Sequence, residues 1–239
     1  MATPGPLQEL LLHFRGHENI PDSWVRKLST TGDLDEAAAR AWETEPDARP
    51  MTQLAPYFAD RKALALVAAD FGRMLLDYLP EKKQAVPRKA LDFVEKWATE
   101  PGIPEPKQGW LALADSVEPA DDKDDLPTYA AQSIATALTT PGYPMALPDL
   151  SEAVIDRKTE ELMASEGGLD ARRTELEVEA IENRAEQQLR PLMAERVRAR
   201  IPAPAGATLL EALKQKRSKD LSDALSRKNK AQIKAFQPD

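Results

Sequence analysis

The chain has 239 residues, a formal net charge of −8, no cysteine and only 5 % aromatic residues. That length suffices for one sizeable core or two smaller ones. The missing thiols exclude disulfide frameworks, thiolate zinc sites and cysteine nucleophiles, and they fit a reducing compartment. Alanine, leucine and glutamate dominate while β-branched residues are sparse, a balance that suits helices better than sheets. Twenty prolines against ten glycines punctuate the chain at intervals that leave helix-sized gaps. The expected fold is all-α: a multi-helix, bundle-like domain with a long kinked helix and a peripheral C-terminal helix. Its expected divisions are an N-terminal extension (1–32), a core (33–200) with an acidic Pro-rich insertion at 100–127, and a basic arm (201–239).

In chain order, residues 7–14 form the first apolar helix candidate and 22–28 a further turn or two. Asp33 and Glu36 have the spacing of a capping box, so a helix through Ala37, Ala38 and Ala39 to Trp42 follows. The next helix is expected over 57–79, with Leu64, Val67, Phe71, Met74 and Tyr78 on one stripe and small alanines on the other faces. Such a helix is central. After Pro87 a second amphipathic helix carries Ala90, Leu91, Val94, Trp97 and Ala98, and faces the first across a short Lys-rich turn. Residues 101–125 read as a long acidic loop with a short helix at 110–117, and 128–139 as an Ala-rich helix.

Leu150, Val154, Ile155, Leu162 and Met163 then mark a helix that Gly167 and Gly168 terminate, because glycine tolerates the left-handed cap. The longest helix is expected over 170–200, its seam made by Leu176, Ile181, Ala185, Leu189, Leu192 and Met193, with a kink or break at Pro191. A last helix over 208–236 carries Leu210, Leu213, Leu221, Leu225, Ile233 and Phe236.

Candidate chemistry is thin. Glu9, His13 and His17 are spaced four apart and could line one helix face as metal ligands, but Gly16 weakens that helix and no fourth ligand is identifiable. An exposed helix end is the simpler reading. Asp70, Arg73 and Asp77 share a polar strip, read as a solvated face held by i,i+3 and i,i+4 pairs. Glu175, Glu179, Glu182 and Glu186 form an acidic ladder without the Glu-x-x-His partner a di-metal bundle needs. No phosphate-binding glycine loop or nucleophile elbow is present. No cofactor, metal site or catalytic residue is expected, and the chain is read as not an enzyme.

Charge is distributed more informatively. Asp115, Glu118, Asp121, Asp122, Asp124 and Asp125 concentrate acid in the Pro-rich insertion. Beyond Ile201, the eight bases Lys214, Lys216, Arg217, Lys219, Arg227, Lys228, Lys230 and Lys234 face only four acids, so this tail is +4 and the remainder −12. An acidic body with a basic arm suggests partner-binding surfaces, with the six insertion acids and Lys214, Lys216, Arg217, Arg227, Lys228 and Lys230 as candidate contacts. Stacking aromatics are missing from the arm apart from Phe236, so nucleic acid is not the expected partner. The N-terminus lacks the basic and apolar regions of a signal peptide. The most apolar window, 63–79, carries Asp70, Arg73 and Asp77, which oppose membrane insertion. The expectation is a soluble cytoplasmic protein.

From Asp60-Arg61-Lys62 onward the chain resembles a family of helical immunity proteins from bacterial polymorphic-toxin systems. The pattern is the Asp-Arg-Lys start, the Ala/Leu-rich helix to Val67 and beyond, then Pro87-Arg88-Lys89-Ala90 and Glu95-Lys96-Trp97-Ala98. The segments 129–137 and 182–189 resemble its later helices less closely, and the resemblance covers about 60–189. It implies an all-α binder that neutralises a cognate toxin and carries no catalytic residues. The N-terminal extension, the acidic insertion and the basic arm depart from that pattern. Binding to another protein is therefore the expected function, with a structural subunit of a larger assembly as the alternative.

Overall fold

The computed structural model describes residues 22–29, 33–79, 81–103, 146–168 and 173–235. Among these, eight α-helices and one 3-10 turn form the fold, and no strand is present. They are α1 (Asp22–Ser29), α2 (Leu34–Thr44), α3 (Ala48–Leu54), the 3-10 turn (Ala55–Tyr57), α4 (Arg61–Leu76), α5 (Glu81–Thr99), α6 (Ala146–Ser165), α7 (Glu175–Arg200) and α8 (Gly206–Ala235). The all-α expectation holds. The helices expected at 7–14, 110–117 and 128–139 lie outside the described residues.

Contacts group the helices into two compact units, one drawing on the chain up to Thr44 and from Ala203 onward, the other spanning Glu45–Pro202. This grouping departs from the division at 33, 200 and 201 expected from the prolines. The reason is that α2 packs on α1 and α8.

In the first unit, Asp33 caps α2: its carboxylate accepts from the amides of Asp35 at 2.8 Å and Glu36 at 3.2 Å, satisfying donors that a helix start leaves free. Trp24 and Trp42 are buried with ring centroids 6.5 Å apart, and the Trp24 indole donates to the Ala41 carbonyl at 3.1 Å. The alanines Ala37, Ala38 and Ala41 are buried, as are Leu209, Ala212 and Leu213 of α8. Gly206 opens α8 hard against α2, where its amide donates to Asp35 Oδ1 at 2.6 Å. A Cβ at Gly206 would lie 2.6 Å from the Leu34 carbonyl carbon and oxygen.

In the second unit α4 packs on α5, α6 and α7, and α3 packs on α6 and α7. The helix α4 is buried on most of its surface through Ala63, Val67, Ala68, Ala69, Phe71, Gly72, Leu75 and Leu76, so its central place follows. Leu75 and Leu76 replace Met74 and Tyr78 in the expected stripe, since both of those are only half-buried. The helix begins at Arg61 rather than 57 because Asp60 caps it, accepting from Lys62 at 2.9 Å and Ala63 at 3.0 Å.

On α5, Leu91, Val94 and Trp97 are buried as expected. That helix starts at Glu81, six residues before Pro87, and carries the proline within it. Pro87 is itself buried, and tertiary packing of this kind outweighs local propensity.

Helices α6 and α7 run antiparallel: Glu152 near the start of α6 reaches Arg190 late in α7, while Glu166 just past α6 meets Arg184. Gly167 and Gly168 end α6 with φ of 121° and 92°, the region glycine favours. Arg173 then donates to the carbonyls of Met163 at 2.7 Å and Gly168 at 2.9 Å. The start of α7 is set by a Thr174–Glu177 capping box, later than the expected 170. From there the helix runs unbroken through Pro191 for 26 residues, about 39 Å at 1.5 Å per residue. Of its expected seam, Ile181, Ala185, Leu189 and Met193 are buried, whereas Leu176 and Leu192 are exposed. Among the described residues the longest helix is α8, with 30 residues.

Candidate functional site

The candidate contacts fall into three groups. The acids Asp115, Glu118, Asp121, Asp122, Asp124 and Asp125 lie outside the described residues, as do His13 and His17. Arg227, Lys228 and Lys230 are on the last turns of α8, but their side chains are outside the described set. Lys214, Lys216 and Arg217 are described, and they are not equivalent.

Lys216 does not belong to an open basic surface. It is 5 % exposed and its Nζ bonds both carboxylate oxygens of Asp220, at 3.0 and 3.1 Å. The i,i+4 spacing on a helix brings the two together. Its charge is spent inside the protein, which removes it as a partner contact. Lys214 is exposed, with Glu211 4.0 Å away and equally exposed, a pairing that contributes little in water. Arg217 is half-buried and makes no ion pair or side-chain hydrogen bond among the described residues.

Beyond them stand Leu221 and Leu225, 48 % and 62 % exposed. Both belong to the apolar series expected along this peripheral helix. The burial falls instead on Leu209, Ala212, Leu213 and Lys216, because α2 has 11 residues against the 30 of α8. At 1.5 Å per residue α2 is about 16 Å long and covers the first turns only. A face carrying Lys214, Arg217, Leu221 and Leu225 is thereby left open.

The polar strip on α4 is a different structure from the solvated one expected. Asp70 is buried and receives a forked bond from Arg200, Nε to Oδ2 at 2.8 Å and Nη2 to Oδ1 at 3.1 Å. Arg73 lies 3.6 Å from Asp70, bonds Glu95 at 2.6 Å and approaches Asp92 at 3.5 Å. Two cations and three carboxylates thus tie α4, α5 and the end of α7 together. The bond to Asp70 raises the Arg200 pKa above its ordinary value. Asp77 is exposed and stands apart, at the end of α4.

A second cluster joins α3, α6 and α7. Arg190 is buried and bonds Glu186 at 2.7 Å, with Glu152 at 3.5 Å and Asp47 at 3.7 Å. The hydrogen bond from Arg190 holds the Glu186 carboxyl below the usual carboxylate range, against the opposing effect of burial. Of the acidic ladder on α7, Glu175, Glu179 and Glu182 are exposed and only Glu186 is drawn in. On α6, burial pushes the Asp149, Asp156 and Glu160 carboxyls up, with Arg157 opposing it at the latter two. Tyr78 donates to Glu161 at 3.2 Å, and burial first, then the Glu161 charge, takes its phenol to about 12.

Both clusters set guanidinium groups among carboxylates, with acid in excess, and act as joints between helices. Among the described residues no three His, Asp or Glu side chains converge to hold a metal ion, and no helix is long and apolar enough to cross a membrane. Comparison with protein families, curated proteins and solved structures finds no match.

The Asp70–Arg200 and Arg190–Glu152 joints connect residues 130 and 38 positions apart. One signal for the first lay in the sequence: Asp70 falls one residue before Phe71 and between Ala69 and Gly72, in a stretch too apolar to be solvated all round.

Proposed function

We propose that this chain is a non-catalytic binding protein that neutralises a cognate toxin by covering it. The observation that carries the reading is the open face of α8, where two leucines one turn apart stand beside Arg217, whose charge no described residue neutralises. Single exposed leucines are ordinary on protein surfaces. A pair on one helical face, next to unspent charge, has the character of a contact surface. The immunity-protein resemblance over 60–189 supports the toxin as partner and the all-α scaffold as its means.

In this mechanism the acidic insertion, through Asp115, Glu118, Asp121, Asp122, Asp124 and Asp125, meets a cationic patch on a nuclease-like toxin. Such complementarity raises the association rate more than the affinity. The reading carries a cytoplasmic location with it, in keeping with a chain that has no cysteine.

The test is a pull-down with the tagged full chain from its native cell, with partners identified by mass, alongside size exclusion of the purified protein. A binder gives a monomer or small dimer and retains a specific protein. A structural subunit gives large or concentration-dependent assemblies, and that result would replace this reading with the assembly one.

A further inference from the structure

The two halves of α8 differ in what they are built for. Up to Lys216 the helix is committed inward, through Gly206, Leu209, Ala212, Leu213 and the Lys216–Asp220 pair. Past that point Leu221 and Leu225 are open. At about 100° per residue, positions 214, 217, 221 and 225 fall within an arc of about 80°. Leucines sit at its middle and one edge, cations at the other edge and one turn before. Asp220 lies off this arc and is taken by Lys216, while Glu211 touches its margin through Lys214.

We infer that this face seats an acidic amphipathic helix of another protein, one that presents apolar side chains at i, i+3 or i+4 spacing flanked by carboxylates. The inference rests on the binding reading and adds the chemistry of what α8 takes. Three arguments select this occupant. The leucine pair calls for apolar anchors of the kind a docked helix supplies, and Arg217 and Lys214 call for acid beside them. A second copy of α8 fits badly: a parallel partner sets Lys214 and Arg217 against their own equivalents, and an antiparallel one offers them no carboxylate of the same face, since Asp220 is taken by Lys216. A lipid surface fits badly too, because an interfacial helix buries a broad apolar face, whereas these two leucines span only about 40°. The contact is small, of the transient class.

The test uses the full-length protein and a synthetic acidic helical peptide with leucines at i, i+3, i+4 and i+7 flanked by glutamates, read by isothermal titration and fluorescence anisotropy. A scrambled peptide of equal composition and phosphatidylserine-containing vesicles serve as alternatives. Saturable one-to-one binding is expected, at least tenfold tighter than to the scrambled peptide. It should fall at least tenfold in Leu221→Glu/Leu225→Glu and in Lys214→Glu/Arg217→Glu. Leu192→Glu, at an exposed leucine on α7, should leave it unchanged. Lys214, Leu221 and Leu225 are exposed and Arg217 is half-buried, and matching circular-dichroism spectra show that the variants are folded. Absence of binding, equal binding of the scrambled peptide, insensitivity to both double variants or preference for the vesicles overturns the inference. If the native pull-down still retains its partner in that event, the binding reading stands without this surface; if it retains nothing, both fall.

Discussion

Gly206 shows how one missing methyl group can decide a contact. Its amide is engaged by Asp35 at 2.6 Å and its Cα abuts the Leu34 backbone, so a side chain there meets main chain that has no rotamer to yield. Gly206→Ala should destabilise the unit of α1, α2 and α8 by about 1–3 kcal/mol, the usual cost of overpacking. Urea unfolding followed by the fluorescence of Trp24 and Trp42 checks it. Asp70 presents the opposite case, a buried charge that depends on its partners. Asp70→Ala should cost roughly 1.5–3 kcal/mol, the range for hydrogen bonds to charged groups. A double-mutant cycle with Arg200→Ala should return a coupling of about 1 kcal/mol or more, and additivity within ~0.3 kcal/mol would deny that the pair acts as a joint. Tyr78 supplies a pH signature. Its folded pKa of about 12 exceeds the unfolded value near 10, so the folded chain holds this proton longer. Its contribution to stability is full below about pH 10 and is lost as pH rises toward 12. Ultraviolet titration should show a phenol with a midpoint near 12 that disappears in Tyr78→Phe and moves down in Glu161→Gln.

At the scale of elements, helix starts follow from capping and helix interiors from packing. Thr174 and Glu177 bond reciprocally at the start of α7, and removing such a cap costs about 0.5–2 kcal/mol. Thr174→Ala should speed hydrogen exchange at the Glu177 and Val178 amides while leaving Val197, deep in the same helix, unchanged. Uniform acceleration along α7 would mean that the cap holds the whole unit. This box, written Thr-Glu-Leu-Glu, is as plain in the sequence as the Asp33 one. It was obscured by an acidic residue, Asp170, that also looks like a start.

Sequence periodicity was a good guide to α2, the first half of α6 and the inner face of α7, where apolar spacing and burial coincide; on α4 it found Val67 and Phe71, whereas Leu64, Met74 and Tyr78 are only half-buried. It was a poor guide to prolines, since Pro87 and Pro191 both lie within continuous helices. It was poorest for α8, because whether Leu221 and Leu225 are covered depends on the length of a partner helix distant in sequence. The candidate site was legible in kind, as a basic arm. It was not legible in detail: nothing local distinguishes Lys216, buried on Asp220, from Lys214, left in solvent.

At the scale of the molecule, the described residues form two helical units with buried apolar cores, and the long helix α8 of the first unit is only half used internally. Its open face carries Lys214 and Arg217 beside Leu221 and Leu225. Pairs such as Arg190 with Glu186, one turn apart on α7, also tie stability to pH. Because the Glu186 pKa is lowered in the folded state, its contribution is present above the ordinary carboxylate range and fades as pH falls through the lowered value. Under the proposed function this protein acts by stoichiometric association with another protein. Native mass spectrometry of the assembly captured on the tagged full chain from its own cells tests that claim most directly. A complex with one other polypeptide in fixed ratio is predicted. A chain recovered alone, together with saturable turnover of a small molecule that one side-chain substitution abolishes, would contradict it.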